Sequence, residues 1–311
     1  MSGRPRVHLL LALVAAVSLV VFATSARQRR ARPNHAAHQV MAGGLQLRYV
    51  RAGRGPAVVL LHGYGESLIA WRGVFDQLST GADVIAFDLP GSGLSEKPAV
   101  GYQTDSLAAA VLAALAALGV RRAVLVGHSM GGAVVAAAAL AAPERVAALV
   151  LVDPAVMSAP LVPDTGRVDA TREAARSAIA EYEALRTHFG SPHDPTWLAE
   201  SDSALAYLPA QDSAYRAALT AVLREFDFGY LTPERARQLR QPVLVLWGEY
   251  DTVVPIADGR RLAELLPNAR FEMIARSWHR PHVERPGETA AAILRFLRAF
   301  PASGAGSAPR I

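Results

Sequence analysis

Ser129, Asp251 and His279 are the residues whose types and spacing could carry covalent chemistry. A serine hydroxyl is a weak nucleophile. It needs a base to take its proton, and a histidine serves best when an acid orients its ring and supports the positive charge it gains. Ser129 sits in Gly127-His128-Ser129-Met130-Gly131, directly after an apolar run, with a glycine two residues to either side. A sharp turn that presents a serine strains the backbone, and side chains at those two positions would collide with neighbouring main chain. Gly127 and Gly131 remove them. Asp251 follows "PVLVLWGEY" and opens the turn "DTVVP", while His279 closes "ARFEMIARSWH". Asp153 also ends an apolar run and is the rival acid. His282, a helical turn beyond the strand end, is the rival base.

Strands and helices must bring these three together, and the hydropathy pattern supplies them. "LQLRYVRAG" (45–53) alternates as a half-buried strand does. "AVVLLHG" (57–63), "DVIAFDLPG" (83–91), "RAVLVGHS" (122–129), "VAALVLVDP" (146–154) and "QPVLVLWGEYD" (241–251) are continuous apolar runs, and 269–279 is a more mixed one. Helical stretches fall between them at Trp71–Ser79, Thr104–Leu118, Gly132–Ala142, Ile256–Leu266 and Pro286–Phe300. Buried strands alternating with helices predict an α/β fold, a mostly parallel sheet flanked by helices on both faces. In such sheets ligands bind beyond the carboxyl ends of the strands, where His62, Asp88, Ser129, Asp153, Asp251 and His279 all fall. Residues 156–236 break the alternation; they read as an inserted helical cap between core segments 40–155 and 237–300. The tail 301–311 is low-complexity and reads as disordered.

With "HGYGES" (62–67), "DLPGSGLS" (88–95), "GHSMGG" (127–132), "WGEYDTVVP" (247–255) and "HRPHVERP" (279–286), the chain resembles the α/β-hydrolases, in their serine-nucleophile, esterase- and lipase-like branch with a cap. The resemblance spans about residues 40–300. It implies the chain order nucleophile, acid, base, met here as Ser129, Asp251, His279. It also implies an oxyanion hole made by the backbone N–H groups of Met130 and Tyr64. Asp88 would be structural, and His62 would brace its loop. One departure is Trp278, where the family often has glycine before its histidine. The activity implied is hydrolysis of a carboxylic ester, small or lipid-like, through an acyl-enzyme. The same triad serves C–C, amide and lactone hydrolases and acyltransferases, and a slow-turnover ligand-binding protein could retain it.

Composition excludes other classes. The chain of 311 residues has a formal charge of +5, but residues 1–40 hold six arginines and no acid. Removing those six from the 32 basic residues leaves 26 against 27 acidic ones, so the body lacks the basic excess of a nucleic-acid binder. Gly91-Ser92-Gly93 is not followed by glycine at 96, and no phosphate-binding loop occurs. Without cysteine, thiolate chemistry is excluded, and His35, His38, His188 and His193 lack metal-ligand spacing. No metal or cofactor is expected; the partner is a small ester-type substrate, with oligomeric state left open. Val7–Ala26 carries no formal charge and could be an uncleaved membrane anchor or a cleaved signal, followed by a basic linker to residue 39. The localisation this implies is membrane-associated or exported, rather than cytoplasmic.

Overall fold

The computed structural model of the protein describes residues 37–157 and 213–299. Among the described residues, eight strands form one sheet: β1 (Ala37–Ala42), β2 (Leu45–Ala52), β3 (Ala57–Leu61), β4 (Asp83–Phe87), β5 (Ala123–His128), β6 (Val146–Val152), β7 (Val243–Gly248) and β8 (Ala269–Ile274). Their order is β1-β2-β4-β3-β5-β6-β7-β8. β1 and β2 run antiparallel to their neighbours, and every other pairing is parallel. The apolar runs became the central strands because both faces of the sheet are covered. Along β5, Ala123 and Leu125 enter one core while Val124 and Val126 enter the other.

Helices α1 (Arg72–Leu78), α2 (Thr104–Ala117), α3 (Met130–Ala141), α4 (Ser213–Glu225), α5 (Pro233–Gln238), α6 (Ile256–Leu265), α7 (Pro281–Glu284) and α8 (Pro286–Ala299), with short 3₁₀ turns at Leu68–Trp71 and Pro143–Arg145, complete the described elements. Leu107, Val111 and Leu115 of α2, the alanine-rich α3 and Leu262 of α6 pack on one face, with Ala218, Ala221 and Val222 of α4. Phe75 and Leu78 of α1 and Ile293 and Phe296 of α8 cover the other. Each fully buried side chain of this size contributes roughly 1.5–3 kcal/mol relative to exposure. Trp71 and Trp247 are the largest of them.

Two expectations change. The core begins earlier than residue 40: β1 starts at Ala37 and pairs it with Val50. This edge strand is mostly exposed, so it carries no apolar alternation to betray it. The membrane-associated or exported localisation is corrected: among the described residues no helix is long and apolar enough to cross a membrane. The longest, α2 and α8, have 14 residues. That is about 21 Å of rise against a hydrocarbon core of about 30 Å. Val7–Ala26, which alone carried that expectation, lies outside the described residues, as do 158–212 of the expected cap and the tail 301–311.

Candidate active site

β5 delivers Ser129 with φ 49° and ψ −115°, a conformation an L-residue adopts only when its surroundings impose it. The surroundings are the two glycines. A Cβ on Gly127 would lie 2.2 Å from the carbonyl oxygen of Gly131, and one on Gly131 would lie 2.5 Å from that of Leu61 and 2.6 Å from that of His62. Ser129 is anchored by its N–H to Val152, while its carbonyl accepts from Gly132 and Ala155. Helix α3 begins at Met130, two residues before the expected start. The positive end of its dipole, with first-turn N–H groups that have no acceptor within the helix, therefore stands at the serine.

The structure brings the expected triad together. His279 Nε2 lies 3.1 Å from Ser129 Oγ, and His279 Nδ1 lies 2.8 Å from Asp251 Oδ2. Asp251 Oδ1 also accepts the N–H groups of Val253 and Val254, which fixes the carboxylate. Since a carboxylate only accepts, Nδ1 carries the ring proton and Nε2 is free to accept one from the serine. Burial pushes the His279 pKa down, and hydrogen bonding to Asp251 recovers only part of the shift. Burial alone would raise the Asp251 carboxyl, but His279 and the two N–H donors outweigh it and hold it below the usual carboxylate range.

The rivals take other places. Asp153 directly follows β6, fully buried at φ 41°, and its Oδ1 accepts from the Gly248 N–H. Burial, then repulsion from the Asp251 carboxylate, pushes its pKa well up and favours the neutral acid. His282 is buried between Trp71 and His128, away from the serine, and makes no hydrogen bond. His62 donates from Nδ1 to the Gly63 carbonyl and accepts from Leu89 N–H at Nε2, which is a loop brace. Asp88 accepts from the Leu68 and Leu94 N–H groups and meets Arg48, a structural role. The Tyr64 hydroxyl donates to the Leu219 carbonyl of α4. Trp278 is half exposed and rests against Tyr250.

Among the described residues, two donor groups converge within 4.8 Å: Glu66, His128 and His282, and Asp153, Asp251 and His279. In the first, both Glu66 oxygens and both His128 nitrogens are already engaged by protein groups, and Arg280 supplies the positive charge. In the second, both His279 nitrogens are taken. Sequence reasoning passed over Glu66, His128 and Arg280, although each stands inside a quoted motif. An acid, a histidine and an arginine flanking three site positions was the signal available.

The family model for the alpha/beta hydrolase fold matches residues 56–286. The chain belongs to the α/β-hydrolase fold family. As a member it is a hydrolase. It is 32% identical over 268 residues to the 2-hydroxy-6-oxo-6-(2'-aminophenyl)hexa-2,4-dienoic acid hydrolase of Metapseudomonas resinovorans, covering 83% of this chain and 89% of that protein. Among solved α/β-hydrolase-like structures, a bacterial membrane phospholipase A described as a virulence factor superposes with a TM-score of 0.70 at 27% identity, over 96% of this chain and 98% of that one. The esterase RhEst1 of Rhodococcus sp. ECU1013 does so with a TM-score of 0.67 at 28% identity, over 86% and 99%.

Proposed function

We propose that the protein hydrolyses carboxylic esters through an acyl-enzyme on Ser129. The observation that carries this is the continuous relay from Ser129 Oγ through His279 to Asp251, with the acceptor nitrogen of the imidazole facing the hydroxyl. In acylation Oγ attacks the ester carbonyl carbon while its proton passes to His279 Nε2. The oxyanion that forms is met by the backbone N–H groups of Met130 and Tyr64, each worth about 3 kcal/mol in such a role. His279 then gives its proton to the departing alkoxide as the C–O bond breaks, leaving acyl-Ser129. Water attacks next and loses a proton to the same nitrogen, which delivers it to Oγ as the acyl C–O bond breaks, releasing the acid and the free serine. General base and acid transfers of this kind contribute about 10²–10⁴-fold. Asp251 holds the tautomer and supports the imidazolium. Residues 156–236, inserted between β6 and β7, are proposed as the cap that selects the substrate.

The Metapseudomonas relative supports a second reading. Its substrate is a keto acid whose name contains no ester, so hydrolysis there must break a carbon–carbon bond. That chemistry would ask for a cation to hold the substrate carboxylate, and Arg280, beside the base, is turned to Glu66 instead. Ester hydrolysis asks for nothing beyond the triad and the oxyanion donors. Turnover of p-nitrophenyl esters of increasing chain length, with wild type and Ser129→Ala, tests the reading. The expected result is ester turnover that vanishes with the serine. Turnover of a 2-hydroxy-6-oxo-dienoic acid without ester turnover would select the other reaction.

A further inference from the structure

Behind the triad lies a cluster of charged side chains, buried at Glu66 and His128 and partly buried at Arg280, that the steps above do not use. Glu66, in the loop after β3, accepts the Gly63 N–H on Oε2 at 2.8 Å and Arg280 Nε on Oε1 at 2.8 Å. The same Oε2 lies 2.9 Å from His128 Nδ1, and His128 Nε2 lies 2.8 Å from the carbonyl oxygen of His279. A carboxylate and a carbonyl only accept, so both ring nitrogens of His128 donate and the ring is an imidazolium. Glu66 is the matching anion. Burial would raise its pKa, but His128 and Arg280 hold it well below the usual range. Glu66 is 7% exposed and His128 2%, so these charges are shielded from water and strongly felt.

The three residues touch the site through the backbone. Gly63 precedes Tyr64, whose N–H is the second oxyanion donor; His128 precedes Ser129; Arg280 follows His279. Nucleophile, oxyanion loop and base thus come from three distant segments, and the cluster bonds those segments directly to one another. We propose that Glu66, His128 and Arg280 are positioning residues, a buried charge brace that fixes the nucleophile turn, the oxyanion loop and the base loop in mutual register. The inference rests on the serine-hydrolase reading above and deepens it.

The brace has an electrostatic consequence. The His128 and His279 rings are 4.9 Å apart between centroids, so a fixed cation on His128 opposes a second on His279. His279 is therefore neutral at lower pH and yields its proton more readily. Among the described residues, the other ionisable groups facing His279 are Asp251 after β7, Asp153 after β6, Glu66 after β3 and His282 in α7. Those around His128 are Glu66, Arg280, His279, His282 and, at longer range, His62.

The test measures kcat, KM and the pH profile of kcat/KM on a soluble ester for the full chain, with rates normalised to the fraction titrated by a fluorophosphonate. His128→Ala is expected to lower kcat about a hundredfold, the cost of roughly an ångström of misplacement, with KM little changed. His128→Gln, an uncharged amide that can still donate to the His279 carbonyl, is expected to recover most of that loss. In both variants the midpoint of the pH profile moves upward, because the cation is gone. In wild type, the ¹⁵N resonances of His128 are expected to show both ring nitrogens protonated at the pH of full activity, a readout that needs no variant to fold. A merely structural histidine would cost melting temperature and leave the midpoint in place. An unmoved midpoint in both variants, or a single protonated nitrogen in wild type, would overturn the brace while leaving the triad standing. Ester turnover that survives Ser129→Ala would overturn the reading beneath it, and the brace with it.

Discussion

Gly127→Ala should leave a folded protein with a crippled nucleophile. The added Cβ would stand 2.2 Å from the Gly131 oxygen, 2.5 Å from its carbonyl carbon and 2.7 Å from Gly132 N. Comfortable contacts between such heavy atoms lie at roughly 3.5 Å, so the start of α3 must retreat by about an ångström. All three obstructing atoms are backbone, and no side chain can rotate to make room. Overpacking of this kind costs roughly 1–3 kcal/mol, which a protein of ordinary stability survives. The larger effect falls on chemistry. Ser129 sits between β5 and α3, so the same displacement moves Oγ from His279 Nε2, and an ångström of misplacement costs about a hundredfold in rate. The assay pairs urea unfolding with kcat/KM on a p-nitrophenyl ester and with the rate of fluorophosphonate labelling. Gly287→Ala, near the start of α8 with nothing within 4 Å of the added Cβ, is the control and should be neutral in both. A Gly127→Ala protein with both rates within threefold of wild type would refute the steric account of the turn.

Asp251→Asn should lower kcat by about four orders of magnitude, as loss of the orienting carboxylate does in such triads, because the amide can no longer hold the productive tautomer. Asp153→Asn should be mild in kcat and should stabilise the protein at neutral pH, measured by thermal melting. A raised folded pKa means that the wild-type stability from this group is present only below the carboxylate range and lost as pH rises, and the amide removes that loss. The kcat/KM profile should rise with pH as His279 becomes neutral, through a midpoint below the ordinary histidine value of about 6.5, since burial lowers it. Thermal stability should follow the same direction: His62, His279 and His282 all have depressed pKa values, so their contribution is present above about pH 6.5 and lost as pH falls through the folded values. Melting temperatures of the Asp153→Asn variant, which lacks the opposing carboxyl contribution, that rise on acidification would contradict this assignment.

The central strands could be read from the chain because each is a short apolar run buried on both faces, and the serine turn because its glycines answer a local steric demand. Asp251 was legible for a related reason, since it comes shortly after the fully buried β7; His279 lies beyond the mixed, half-exposed β8 and was legible from its motif and its place in the chain order. β1 was hidden because an exposed edge strand is held by main-chain bonds to β2 and not by side-chain burial. The brace was hidden because Glu66, His128 and Arg280 meet only after β3, β5 and the loop following β8 are assembled side by side. Their places beside site positions could have marked them as candidates, but nothing in the spacing paired Glu66 with a histidine 62 positions later. The Tyr64 hydroxyl was similarly out of reach, since its partner is a carbonyl on α4, 155 residues away.

The most direct measurement of the central claim is covalent capture of the nucleophile. The protein is treated with a fluorophosphonate, digested, and the modified peptide sequenced by mass spectrometry, in parallel with Ser129→Ala. The account predicts a single adduct on Ser129 in wild type, formed in step with loss of ester turnover, and neither adduct nor turnover in the variant. An adduct on another residue, or turnover that persists in Ser129→Ala, would contradict it.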